Sequence, residues 1–248
     1  MRYSEFVEVY DALSSTTKRL EKETILAEFL KKLAKKGKSE WIYLLRGRVV
    51  PQYDSGEFGI SLQLTIKAIS RSLGIASDKV VEKFRKIGDL GEVAEEFVEK
   101  KKQETLFSKR LEVDKVFENL KKLMDVEGKG AVDRKMGLIS ELLGQSSGGE
   151  AKYIVRTLLG DLRVGIADAV LRDAIAEAFF KEDKKEMCDK IEEAYDLAND
   201  FALVFNSAMK GRKMLEKIEM VPGRALNVML PVKVTDIEEA FRICGKPA

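Results

Sequence analysis

The sequence predicts an all-α protein, and three observations carry that prediction. Apolar residues recur at intervals of three and four along most of the 248 residues, the spacing that lays one buried stripe along a helix. Serine, threonine and aspartate stand ahead of several of these stretches, where the unpaired amides of a first helical turn need an acceptor. Glycines separate successive stretches. From Met220 onward the pattern changes, and a short α/β extension is expected there.

In order, Phe6, Val7, Tyr10 and Leu13 predict a helix over 3–13, and Ile25, Leu26, Phe29, Leu30 and Leu33 a second over 19–33, with Ser14, Ser15, Thr16 and Thr17 as caps between them. Residues 41–45 are a third apolar patch, ended by an irregular segment from Gly47 through Pro51 to Gly59. This first part reads as scaffold. Beyond Ser61 the pattern is helix after helix: Leu62, Ile66, Ile69 and Leu73, then Val80, Val81 and Phe84 behind Ser77 and Asp78, then Leu90, Val93, Ala94, Phe97 and Val98 behind Asp89. Val116, Phe117, Leu120, Leu123 and Met124 predict a helix over 114–124. Two strongly patterned helices follow, one burying Tyr153, Ile154, Leu158 and Leu159, the other Ala167, Val170, Leu171, Ala174, Ile175 and Ala178. An acidic helix over 184–198 and a helical segment over 201–215 complete the series. Residues 228–234 then lead into a last helical pattern at Ile237, Ala240, Phe241 and Cys244.

Composition excludes several chemistries. Lys+Arg 44 against Asp+Glu 42 leaves a net charge of only +2, so any affinity for nucleic acid has to come from uneven distribution. The distribution is uneven: residues 100–135 hold 11 basic and 7 acidic side chains, and 182–200 hold 3 and 8. A basic face and an opposite acidic one are expected. With no histidine there is no His general base, no His-metal site and no Ser-His or Cys-His nucleophile pair. Cys188 and Cys244 lie too far apart, and too isolated, for a zinc cluster and read as reduced thiols, so a cytoplasmic location is expected. No apolar run approaches the roughly 18 residues of a membrane span, and the first ten residues lack a signal-peptide core, so no membrane partner is expected. Gly37-Lys38-Ser39 is not a phosphate-binding P-loop, because Lys32 stands where its first glycine is required.

The candidate site is the hinge at 160–165. Gly160 and Gly165 bracket Arg163, so backbone can approach a ligand closely while a guanidinium and the amides of the next helix point the same way. That combination suits a phosphate backbone. The hinge has an echo: Leu73-Gly74, a helix, then Gly88-Asp89-Leu90-Gly91 is matched by Leu143-Gly144, a helix, then Gly160-Asp161-Leu162-Arg163, with intervals of 14 and 16 residues. A duplication of this kind predicts two glycine corners about a pseudo-twofold axis, each holding one strand of a duplex. For Gly88 and Gly91 two readings stand, a plain helix C-cap and a phosphate corner. Two readings also stand for Gly128, Lys129, Gly130, Arg134 and Lys135, a helix start with incidental cations and a second phosphate contact. Lys100, Lys101 and Lys102 read either as a solvated helix end or, at Lys102, as part of the basic surface.

Several of these segments resemble one family. Glu150-Ala151-Lys152-Tyr153, Arg156-Thr157-Leu158, the run from Gly160 to Ala167 and Leu171-Arg172-Asp173-Ala174 are similar to the E-A-[KR]-[YF], R-[TS]-L and G-x-[LM]-R-x-G-[VIL]-A-[ED] series in the DNA-binding domain of archaeal and eukaryotic ATP-dependent DNA ligases. Gly47-Arg48-Val49-Val50-Pro51 and residues 127–135 resemble further segments of it. The resemblance implies a helical DNA-binding domain over 1–218. It also implies, over 219–248, a linker and the first strand and helix of the nucleotidyltransferase domain, where Met229-Leu230 match but Val228 and Pro231 depart from the usual P-x-x-P-M-L-A. It implies sequence-independent binding of nicked duplex through phosphates and the minor groove, with ATP and Mg2+ used by the complete enzyme and no cofactor held by this chain. Gln103-Glu104-Thr105-Leu106-Phe107 resembles a sliding-clamp peptide, with Gln103, Leu106 and Phe107 as its contacts.

The family's covalent step needs a lysine in K-x-D-G, and no such motif occurs in the sequence. No adenylation and no sealing are therefore expected from these residues without the catalytic domains of the same polypeptide. The competing reading is a helical protein-interaction scaffold that never meets DNA, favoured by the near-neutral charge.

Overall fold

A computed structural model describes residues 1–36, 38–102, 110–226 and 236–244, apart from the side chains of Lys102, Ala240, Ile243 and Cys244. Among these residues every regular element is a helix, and an isolated antiparallel bridge between Arg2 and Glu112 is the one β feature.

Helices α1 (Ser4–Ser14) and α2 (Arg19–Ala34) pack together through Phe6, Val7, Tyr10 and Leu13 on one side and Leu26, Phe29, Leu30 and Leu33 on the other. The Phe6 and Phe29 rings meet edge-on at 4.8 Å. The apolar patch at 41–45 folds as a 3-10 helix (Ser39–Arg46) that buries all five side chains. Tyr10 donates its hydroxyl to the Leu44 carbonyl (2.7 Å), which fixes this turn against α1.

After an irregular stretch come α3 (Leu62–Leu73), α4 (Ser77–Ile87), α5 (Leu90–Lys102), α6 (Val113–Asp125), α7 (Ala131–Gln145), α8 (Gly148–Leu158) and α9 (Asp168–Phe179). Helix α8 is the centre of the molecule. Its first turn is closed by a capping box between Ser147 and Glu150, and nearly its whole circumference is buried, including Arg156 and Thr157 as well as Tyr153, Ile154, Val155 and Leu158. It packs mainly on α5, while α3 packs on α7 and α9 on α2. Helices α10 (Lys184–Ala198), α11 (Phe201–Met209) and α12 (Arg212–Leu215) cover the far side of α9 and the 3-10 helix, and α13 is Ile237–Cys244. Ile218 is the last residue before the extension to pack against the core, but residue 225 still touches it, its carbonyl accepting from Asn199 Nδ2 at 3.1 Å.

Several expectations are corrected. Between α1 and α2, Ser14 and Ser15 donate to the carbonyls of Tyr10 and Ala12 and Thr16 accepts from the Lys18 amide at 3.2 Å, but no side chain caps the first turn of α2 itself, and α4 starts behind Ala76, not on Ser77 or Asp78. Leu62, placed inward from the pattern, is 43% exposed in the first turn of α3. The segment 201–215 is two helices, because Gly211 at φ +102° breaks it. The pseudo-twofold shows in part of the packing, since α3 on α7 is its own counterpart and α3 on α4 answers to α7 on α8, but not in all of it. Matching α3, α4 and α5 to α7, α8 and α9 makes α4 on α9 the counterpart of α5 on α8, and no comparable packing of α4 on α9 exists among the described residues. The reason is local: only Gly88 and Asp89 separate α4 from α5, whereas nine residues separate α8 from α9 and carry α9 across to α2. The strand expected over 228–234 lies outside the described residues.

Candidate nucleic-acid interface

The 160–165 corner is anchored by what it buries. Leu162 and Val164 point into the core at 8% and 4% exposure, and Asp161, Arg163 and Gly165, alternating with them, face solvent. Three residues take the left-handed conformation, Gly160 (φ +69°), Arg163 (φ +57°) and Gly165 (φ +63°). Arginine rarely pays that backbone strain, of about 1–2 kcal/mol, without compensating contacts. The amides of Gly160 and Asp161 close the end of α8 on the carbonyls of Thr157 and Arg156, both at 3.0 Å. Those of Leu162, Arg163, Val164 and Gly165 donate to nothing among the described residues. These loop amides, together with those of Asp168 and Ala169 in the first turn of α9, which has no side-chain cap, are the unspent donors of the corner. Lys22 of α2 grips the carbonyl side, donating Nζ to the oxygens of Val164 (2.8 Å) and Gly165 (3.0 Å).

The compensating contacts of Arg163 lead to the second corner. Its Nε donates to Asp161 at 2.7 Å and its Nη1 to Asp89 at 3.1 Å. Asp89 is 5% exposed and serves several partners at once. One carboxylate oxygen accepts from the amides of Gly91 (2.7 Å) and Glu92 (3.3 Å), capping α5, and the other from Arg156 Nε (3.1 Å) and Nη2 (2.8 Å). Burial pushes its pKa up, but the Arg156 guanidinium and the two amides outweigh burial and hold the carboxyl below its ordinary value.

Gly88 and Gly91 then part company. Gly88 (φ +79°) is exposed and has open space where a side chain would be. Gly91 is buried, its amide is spent on Asp89, and a Cβ there would lie 2.8 Å from both the Lys152 carbonyl and Arg156 Cγ. Gly91 is therefore removed from the candidate contacts. It is a glycine because α5 and α8 cross too closely there for anything larger.

The irregular segment 47–61, read from the sequence as scaffold, forms the wall of a cleft of about 680 Å³ whose opposite wall is Leu158, Leu159 and Gly160. Arg46, Arg48, Phe58 and Met124 also line it. The loop is tied to the third corner, because Lys135 Nζ donates to the Phe58 carbonyl at 2.7 Å. In that corner Gly128 (φ +79°) and Gly130 (φ +76°) turn the chain into α7, and the ammonium of the exposed Lys129 has no partner among the described residues. Arg134 folds back onto the carbonyls of Glu127 (2.8 Å) and Lys129 (3.1 Å), so its first duty is to hold the turn.

Contacts thus run between the corners in pairs: Asp89, beside Gly88, bonds Arg163 of the Gly160 corner, Lys135 of the third corner bonds the Phe58 carbonyl, and residue 58 and Gly160 line the same cleft. Sequence reasoning missed Lys22, Arg46, Arg48 and Asp89 as members of this surface. Two of these carried a signal: Arg48 stands in the 47–51 segment that resembles the family, and Asp89 follows a helix-closing glycine as Asp161 does in the other half of the echo. The Lys102 side chain and the clamp residues Gln103, Leu106 and Phe107 lie outside the described residues. Among the described residues no cluster of acidic or cysteine side chains is arranged to hold a metal, and no helix is long and apolar enough to cross a membrane.

A family model described as DNA ligase N terminus matches residues 2–176, which include all three corners and the cleft loop. The chain belongs to the DNA ligase N-terminal family. Among its relatives, the DNA ligase of Methanothermobacter thermautotrophicus is 38% identical over 245 residues, covering 98% of this chain and 43% of the relative. The DNA ligase of Thermococcus fumicolans is 35% identical over 249 residues (100% and 44%), and that of Nitrosopumilus maritimus 36% over 246 (99% and 42%). The chain therefore spans less than half the length of these curated relatives. Both the all-α fold and the ligase resemblance read from the sequence agree with these findings.

Proposed function

We propose that this chain is the DNA-binding part of an ATP-dependent DNA ligase acting in replication and repair, and that it holds nicked duplex by phosphate and minor-groove contacts without reading sequence. The observation that carries this reading is the linking of the Gly88 and Gly160 corners through Asp89–Arg163, and of the third corner through Lys135–Phe58 to the loop that lines a cleft with Gly160. An enzyme that must accept any sequence needs donors for phosphates and a surface shaped to a groove, not side chains aimed at base edges. The amides at 162–165, together with Lys129 and the unspent N–H groups of Arg163, are donors of that kind, while Arg48 adds charge nearby with its Nη2 bonded to the carbonyls of Pro51 and Asp54. Gly88, Gly128, Gly130, Gly160 and Gly165 let the backbone come close, and Arg134, Lys135 and Lys102 add charge nearby.

On this reading the division falls near 218/219, with the later residues leading into the adenylating part of the same polypeptide, where ATP and Mg2+ do their work. This chain has no K-x-D-G lysine and is not adenylated by itself. Contact with the sliding clamp through Gln103, Leu106 and Phe107 belongs to the same proposal.

Fluorescence anisotropy on nicked and intact duplexes tests it. The expected result is little dependence on sequence and an affinity that falls by about 10³ between roughly 50 and 200 mM salt, the behaviour of about six neutralised phosphates. Arg163→Ala is expected to weaken binding and flatten the salt slope by about one ion. A salt-independent affinity, or none, returns the chain to the protein-scaffold reading.

A further inference from the structure

Asp89 does more than cap a helix and neutralise a buried arginine. The cap needs one oxygen, and Arg156 already has a second carboxylate in Glu92 at 3.4 Å. Yet the remaining oxygen of Asp89 also receives Nη1 of Arg163, from a loop 74 residues later in the chain. Between Asp161 on Nε and Asp89 on Nη1, the guanidinium is held from two sides. A guanidinium has five N–H donors, and these two bonds leave three of them unspent, including both on Nη2, enough for a bidentate grip on a phosphate. The two carboxylates hold the group where it stands, on a backbone that is itself left-handed.

We propose that Asp89 is a positioning residue for DNA binding: it sets the Arg163 guanidinium and ties the Gly88 corner to the Gly160 corner, so that both meet the duplex at one fixed spacing. This rests on the DNA-binding reading above. It makes a prediction opposite in sign to charge counting, because removing a carboxylate beside a phosphate site should by itself tighten binding.

The test is the affinity of the 248-residue chain for a nicked 30-base-pair duplex, measured for Asp89→Asn, Arg163→Ala and the double variant, with thermal melting of each. Asparagine keeps the helix cap but loses the charge that holds both arginines. Asp89→Asn is expected to weaken binding about tenfold, a 1.4 kcal/mol change, and to cost nothing further in the Arg163→Ala background. Unchanged or tighter binding by Asp89→Asn, or losses that simply add in the double variant, overturns the positioning role while leaving the DNA reading intact. A wild-type chain that does not bind nicked duplex overturns both. Should Asp89→Asn fail to fold, Arg163→Lys decides the matter, since it keeps the charge on an exposed loop but cannot span Asp161 and Asp89 together. It is expected to bind as poorly as Arg163→Ala, and wild-type affinity would overturn the proposal.

Discussion

Lys135 Nζ donates to the Phe58 carbonyl at 2.7 Å, a bond across 77 residues that joins the first turns of α7 to the loop walling the cleft. The side chain is only half-buried, so water competes for the bond and its strength is below that of a dry charged pair. Lys135→Met is expected to leave the melting temperature nearly unchanged. It should speed amide exchange in residues 56–60 and weaken duplex binding by about threefold to tenfold, the loss of one phosphate-side cation and of the loop's fixed position. Protection in that loop equal to wild type would show that the bond does not hold it.

Gly160 has no atom within 4 Å of where a Cβ would stand, and its φ is +69°. Gly160→Val therefore meets backbone strain of about 1–2 kcal/mol and no clash inside the protein. The domain should stay folded with a modestly lower melting temperature. If the corner meets DNA, affinity falls well beyond what the loss of folded fraction explains. Binding per folded molecule equal to wild type would make Gly160 merely a turn.

Gly91 predicts the reverse. A methyl group there would sit 2.8 Å from the Lys152 carbonyl, a backbone atom of the central helix that cannot step aside. Gly91→Ala should destabilise by about 1–3 kcal/mol through forced separation of α5 and α8. Chemical denaturation measures this directly, and the fraction still folded should bind duplex with nearly normal affinity.

Asp89 and Asp173 are each pushed up by burial but held lower overall by arginine partners, and Glu141 is lowered by Lys115 and Asn119. A carboxyl with a lowered folded pKa binds its proton more readily when unfolded. It thus contributes stability above the ordinary carboxylate range and loses it as pH falls through the folded value. Melting temperature should be flat from neutrality to about pH 5 and decline below about pH 4. Asp89→Asn should be less stable than wild type at pH 7, with the gap narrowing in acid. A gap that stays constant down to acid unfolding would mean the Asp89 charge adds nothing to stability.

The helices were legible because each announces its buried stripe locally. Tyr153, Ile154 and Leu158 point inward as their spacing requires, and Asp89 caps α5 as its place before Leu90 implies. The errors fall where neighbours outvote local pattern. Residues 41–45 are apolar enough for any helix, and they form a 3-10 turn packed chiefly on α11, with the Tyr10 hydroxyl bonded to the Leu44 carbonyl. Gly88 and Gly91 look alike in sequence, yet one is open to solvent and the other is pressed against α8, a difference of depth that no local spacing encodes.

By itself, then, the sequence determined the helical content, the exclusion of histidine chemistry, the ligase resemblance and the glycine corners, since each depends on residue identity or on intervals within one or two turns. Which corners share a surface was decided only by tertiary structure. The pairing of Asp89 with Arg163, of Lys135 with the Phe58 carbonyl and of Lys22 with residues 164 and 165 joins positions 74, 77 and more than 140 apart. Contacts of that range arise from how α5, α8, α2 and α9 bury their apolar faces against one another, a global optimum of packing that leaves no mark in any single stretch of chain.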